Sequence, residues 1–302
     1  MTNPQVHGAY AALLLPRDTR GRLDELALAR SIDFLVARGI QSFVFNGATG
    51  EYASATAAEV KRSLDLAKSV LPSDAEILCG VGAATLRETL ALGALAVEAD
   101  VAGLLLPAPY FFKYSQEDLS AFVGKVAAEV HLPILLYNLP QCTTGFQSAT
   151  SVDLIRNCDG VVGIKDSSGS LETVRRLTVE AIPASRIIGN DGVLAEALTE
   201  GICDGVISGV ACVVPELILP LFANPPVSAA FQQTAERLQQ FIAKINVLPS
   251  PWGLKAVAEA RGISAATYAL PLSKNRESQI RKTQEWFNSW ILEIVEPSFA
   301  RT

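Results

Sequence analysis

The chain has 302 residues, of which 49% are hydrophobic and 19% charged, and its net charge is −6. That length carries one large domain or two modest ones around a sizeable core. The acidic balance leaves no basic footprint for nucleic acid or an anionic membrane surface, and no run reaches the roughly 18 apolar residues of a spanning helix.

The first stretch, "MTNPQVHGAYAALLLPRD", lacks a basic leader, and its apolar run from Ala9 to Leu15 is too short for a secretory signal, so a cytoplasmic protein is expected. That run is the first of eight short apolar segments. "SFVFNG" follows from Ser42, "EILCGVG" from Glu76, "AGLLLPAPY" from Ala102 and "PILLYNLP" from Pro133. "VVGIKD" from Val161, "RIIGND" from Arg186 and "DGVISGV" from Asp204 complete the set. Each is rich in Val, Ile, Leu or aromatics and has Gly, Pro, Asn or Asp at or near its end, which reads as a buried parallel strand.

Helical periodicity fills the gaps. Leu23–Gly39 carries apolar residues three and four apart and closes on Gly. The next helix has Ser54 and Thr56 as candidate caps and stops at Pro72. "TLRETLALGALAVEAD", "SQEDLSAFVGKVAAEV" and shorter segments after the fifth, sixth and seventh strands repeat the pattern. Eight strand–helix units predict an α/β fold of the TIM (β/α)₈ barrel type over residues 1–224. An open doubly wound sheet is disfavoured, because "LLLPRDTRG" replaces the Gly-rich turn such a sheet carries after its first strand. Residues 225–302 read as a C-terminal helical segment packed on the barrel, since two long amphipathic stretches exceed what an eighth barrel helix needs.

Barrel chemistry sits at the C-terminal strand ends. Strand six ends in Lys165, strand five in Tyr137, strand seven in Asn190-Asp191, and strand two in "NGATGE". An amine held dry at a strand end loses affinity for its proton and becomes a nucleophile for carbonyl carbon. The resulting imine is an electron sink, and Tyr137 on the neighbouring strand is placed to relay protons. The small-residue turn at Gly47–Gly50, with the hydroxyl of Thr49, suits a carboxylate. Asp166 points to the other side of its strand from Lys165. Among the other lysines, Lys61, Lys68 and Lys125 fall on polar helix faces, Lys113 sits among polar residues after strand four, and Lys255 lies in the C-terminal helical region. The histidines, His7 and His131, and the five cysteines show no metal-ligand spacing, so no metal is expected and the thiols read as buried or inert.

In this order and spacing "GATGE", "YNLP" and "GIKDSSG", with "GNDG", "GVISG" and "PWGLKA", resemble the dihydrodipicolinate synthase / N-acetylneuraminate lyase family of class I aldolases, from about Gly8 to Leu272. The resemblance implies a homotetrameric barrel, a dimer of dimers, in which Lys165 forms a Schiff base with pyruvate or another small 2-keto acid. It makes Tyr137 the proton relay. It gives the carboxylate to Thr49 and the Ala48–Thr49 backbone, turns the Ile207 carbonyl toward the substrate, and requires no cofactor beyond the covalent imine.

Three departures bear on the substrate. Dihydrodipicolinate synthases carry two threonines where this chain has Ala48-Thr49, a second tyrosine lent across a subunit interface where it has Phe111, and an arginine where it has Cys142. N-acetylneuraminate lyases carry Asp-Glu where it has Asp191-Gly192. The pattern is nearer the branch that cleaves or dehydrates 2-keto-3-deoxy sugar acids, in which Thr143, Thr144, Ser167 and Asp191 would meet substrate hydroxyls. Condensation of pyruvate with aspartate semialdehyde is the alternative, and a non-catalytic keto-acid-binding barrel is an alternative of another class.

Overall fold

A computed structural model describes residues 6–295, so the first residues of the chain and the last part of the segment expected to be helical, 296–302, lie outside the described residues. Eight parallel strands close into a barrel in sequence order. They are β1 (Gly8–Ala12), β2 (Ser42–Phe45), β3 (Glu76–Gly80), β4 (Gly103–Pro107), β5 (Ile134–Asn138), β6 (Val161–Asp166), β7 (Ser185–Ile188) and β8 (Gly205–Ser208). All eight fall on the apolar runs read from the sequence. Such runs lack the alternation of a half-wet sheet because both faces are covered. In β5, Leu135 and Tyr137 pack in the barrel interior while Ile134 and Leu136 pack outward under the helices.

Strand β6 departs from strict alternation. Its register against β5 shifts between Ile134 and Leu135, so that Ile134 opposes Val161 and Leu135 opposes Gly163. The extra residue resets the parity, and Val162 and Lys165, three apart, both face the interior. Glycine is required at 163, where a Cβ would stand 2.7 Å from the Ser185 backbone nitrogen.

The outer layer is α1 (Glu25–Val36), α2 (Ala57–Val70), α3 (Leu86–Glu98), α4 (Gln116–Glu129), α5 (Ser148–Asn157), α6 (Glu172–Val179), α7 (Leu194–Glu200) and the short α8 (Leu219–Ala223). Of the two caps read for α2, Thr56 is the one used: it forms a reciprocal capping box with Glu59, whereas Ser54 ends a preceding turn. Three further helices follow, α9 (Ala229–Ile245), α10 (Trp252–Ala260) and α11 (Lys274–Trp290). Phe241 of α9 stacks on Trp290 of α11 at 5.6 Å between centroids, and α10 buries Leu254, Ala256, Val257 and Ala258. None of the described helices is long and apolar enough to cross a membrane.

Candidate active site

Lys165 and Tyr137 are paired across β6 and β5 at the C-terminal mouth of the barrel. Each is only 3% exposed, and the Lys165 Nζ stands 4.1 Å from the centre of the Tyr137 ring. An aromatic face favours a cation by about 1–2 kcal/mol, whereas burial of an unpaired ammonium costs several. Burial therefore wins. It lowers the Lys165 amine to about 7, and the carboxylate of Asp191 opposes the fall. An ordinary lysine is neutral in only about 1 in 2,500 copies at pH 7, and burial raises that share by orders of magnitude here.

Burial raises the Asp191 carboxyl to about 6, against the pull of the Ser208 hydroxyl, the Val210 N–H and Lys165. Its Oδ2 accepts from Val210 N at 3.3 Å, while Oδ1 is shielded from solvent without a hydrogen-bond partner. Burial also pushes the Tyr137 phenol well above its ordinary value, and the neighbouring Ser167 hydroxyl opposes the rise. That Oγ is itself buried with no partner of full hydrogen-bond geometry. Glycine at 189 makes the crowding possible: a Cβ there would strike Ser167 Oγ and stand 2.9 Å from Lys165 Cε. Asp166 faces away, accepting from Asn138 Nδ2 at 3.2 Å and Ser168 N at 2.8 Å.

Lys165, Tyr137, Ala48, Thr49, Ser167, Asp191 and Ile207 line one cavity of about 450 Å³. Thr143 and Thr144 do not line it, contrary to the expectation from sequence. Thr143 is buried with its Oγ1 donating to Leu139 O at 3.1 Å, and Thr144 Oγ1 accepts from Tyr114 N at 3.1 Å, so both hydroxyls brace the loop. Gln141 and Cys142 take the wall instead. Gln141 Nε2 donates to Ser167 O at 3.1 Å, which leaves its Oε1 as an acceptor on the wall. Partial burial pushes the Cys142 thiol up, so it stays protonated at neutral pH.

The sequence reading missed the far wall. Ile245 at the end of α9, Asn246 and the loop 248–251 before α10 line the cavity, so α9 and α10 belong to the site. It also did not foresee the burial of Lys255, only 5% exposed on α10 beside Glu51. Lys113 is exposed and donates to Thr143 O at 3.2 Å. Among the described residues, no three His, Cys, Asp or Glu side chains are grouped to hold a metal ion.

A parallel barrel that keeps one amine dry at its mouth, with a phenol on the adjacent strand, has the parts for imine chemistry on a carbonyl compound. The sequence profile of the dihydrodipicolinate synthetase family matches residues 5–288. A 4-hydroxy-tetrahydrodipicolinate synthase of Methanosarcina acetivorans is 31% identical over 275 residues, covering 88% of this chain and 92% of its own. One from Campylobacter lari is 29% identical over 289 residues, covering 94% and 96%. Among solved structures, YagE of E. coli, a prophage protein of the same family determined in complex with pyruvate, superposes with a TM-score of 0.85 at 24% identity, covering 95% of this chain and 99% of its own. This chain belongs to the dihydrodipicolinate synthetase family, and with it to the class I, pyruvate-dependent aldolase-type lyases.

Only a neutral amine adds to a carbonyl, so with Lys165 as the nucleophile the rate of pyruvate-dependent adduct formation is expected to level off above about pH 8 and to fall about tenfold per unit well below pH 7. The pH profile of borohydride inactivation at fixed pyruvate reads it, and a midpoint near that of an ordinary lysine would contradict the burial argument.

Proposed function

We propose that Lys165 is the Schiff-base nucleophile of a lyase that cleaves, forms or dehydrates a 2-keto-3-deoxy sugar acid, with no cofactor beyond the imine. The observation that carries it is a buried amine, lowered to about 7, beside Tyr137 in the cavity. In the cleavage direction Lys165 Nζ adds to the C2 carbonyl, and loss of water gives the protonated imine. A base takes the proton of the C4 hydroxyl, the C3–C4 bond breaks, the aldehyde departs, and its electron pair enters the imine as an enamine. Protonation at C3 and hydrolysis release pyruvate and restore the amine. In the dehydration mode the imine instead acidifies C3–H, and hydroxide leaves from C4 as water.

Tyr137 carries these protons. Ala48 and Phe111 have no hydroxyl to share the task, and the unpartnered Ser167 Oγ beside the phenol is the next group in line. The N–H groups of the Ala48–Thr49 turn, with Thr49 Oγ1, hold the keto-acid carboxylate in the cavity that Ile207 also lines, and the Ile207 carbonyl faces the substrate. Asp191, Ser167 and the Gln141 Oε1 meet the hydroxyls of the tail.

Lys165 is the only Lys or Arg among the cavity-lining residues, so a second substrate carboxylate finds no bidentate partner and faces Asp191. That favours hydroxyl-bearing tails over aspartate semialdehyde. The synthases among the relatives favour the second reading, condensation of pyruvate with aspartate semialdehyde. A substrate panel separates the two. With pyruvate and aspartate semialdehyde, kcat/KM is expected to stay below about 10⁴ M⁻¹s⁻¹, the lower end of the usual enzyme range, while a 2-keto-3-deoxy sugar acid exceeds it. The reverse order would give the protein to the second reading.

The proposal extends to organisation: a barrel over 1–224, the helical segment 225–302 packed on it, and a homotetramer. Phe111, at φ 84° and 84% exposed beside the also exposed Phe112, supports a subunit contact on the loop after β4.

A further inference from the structure

The fold buries a second lysine that the proposed chemistry leaves unused. Lys255 donates to Thr267 O at 2.8 Å and pairs with the carboxylate of Glu51. Only 6% of its side chain and 17% of that of Glu51 are exposed. A buried ammonium is tolerable only with a partner charge and satisfied donors, so this contact is specified and not incidental.

Glu51 closes the turn that begins at Asn46. Its backbone is left-handed at φ 55°, as is that of Asn46, and neither is glycine. Within the turn, Gly50 N donates to Gly47 O at 3.1 Å and Glu51 N to Ala48 O at 2.9 Å. One end is tied to β3, since Asn46 Nδ2 donates to Gly80 O at 2.7 Å. The other end is tied through Glu51 to Lys255 on α10. Leu254, the neighbour of Lys255, lines the cavity together with Ala48 and Thr49. A strained turn keeps its shape only where its surroundings over-determine it.

We infer that Lys255 and Glu51 form a positioning pair that holds the Ala48–Thr49 turn in shape for the keto-acid carboxylate. Neither side chain touches the reacting atoms. The pair makes binding of the keto acid depend on how α10 docks. The inference rests on the reading of that turn as the carboxylate site.

The test is pyruvate-dependent borohydride labelling as a function of pyruvate concentration, with thermal melting as the check on folding. Lys255→Met is expected to raise half-saturating pyruvate at least tenfold, while labelling at saturation stays complete and maps to Lys165. The double variant Lys255→Met/Glu51→Leu removes both buried charges; it is expected to melt like the unaltered chain yet keep the weakened binding. Lys255→Arg, which still donates to both partners, is expected to recover most of the loss. A purely structural role would lower the melting temperature without moving half-saturation. Half-saturation within twofold of the unaltered chain, in either folded Met variant, would overturn the inference. Should the unaltered chain form no adduct, or form it away from Lys165, the reading of the active site fails, and this inference with it.

Discussion

Lys165→Ala is expected to lose turnover on any 2-keto acid by on the order of 10³-fold or more while the barrel stays folded. The magnitude follows from removing the group that forms the covalent bond, since binding and the remaining polar groups retain only a residue of the acceleration. Folding survives because two effects oppose. The folded chain holds this amine near 7 and the unfolded chain near 10.5, so the unfolded state binds the extra proton throughout that interval. The resulting destabilisation is fully present below about pH 7 and disappears as pH rises toward 10.5; at pH 7 it is on the order of several kcal/mol. Against it stands the packing of the lysine stem, about 2–3 kcal/mol for its methylenes. The alanine variant should therefore melt at the same temperature or higher at neutral pH. Inactivity with a large drop in melting temperature would mean that Lys165 is structural.

Tyr137→Phe is the second large effect. The phenol is buried at the end of β5, and loss of a positioned proton-transfer group costs about 10²–10⁴-fold in kcat. The ring under the Lys165 amine remains, so the apolar surroundings that keep the amine neutral remain too. Trapping by borohydride should consequently persist while steady-state turnover collapses. Stopped-flow or quench measurements of both steps check this, and turnover within about threefold of the parent would take the relay away from Tyr137.

Strand positions were legible because a doubly covered strand has no polar face to disguise it, and "VVGIKD" or "PILLYN" can hardly be anything else in an alternating chain. Lys165 and Tyr137 were legible for the same reason: a polar residue closing such a run has an address at the barrel mouth. The threonines of "QCTTG" were not, because a hydroxyl in a loop serves its own backbone as readily as a ligand. Sequence places Thr143 near the site, and only the loop geometry shows its Oγ1 donating to the Leu139 carbonyl. The bulge that lets Val162 and Lys165 share a face leaves one mark in residue types, Gly163 inside "VVGIKD", and a single glycine does not say which residues turn inward. The wall made by Asn246 and residues 248–251 depends on how α9 and α10 dock, and the Lys255–Glu51 pair joins residues 204 positions apart. The one available signal was "PWGLKA", a lysine set among apolar residues on a short helix.

The measurement that bears most directly on the central claim is borohydride reduction in the presence of pyruvate, followed by peptide mass mapping. The expected result is a single reduced pyruvyl adduct on the peptide containing Lys165, absent from Lys165→Ala. An adduct on Lys113 or Lys255, or none on the folded protein, would contradict the account.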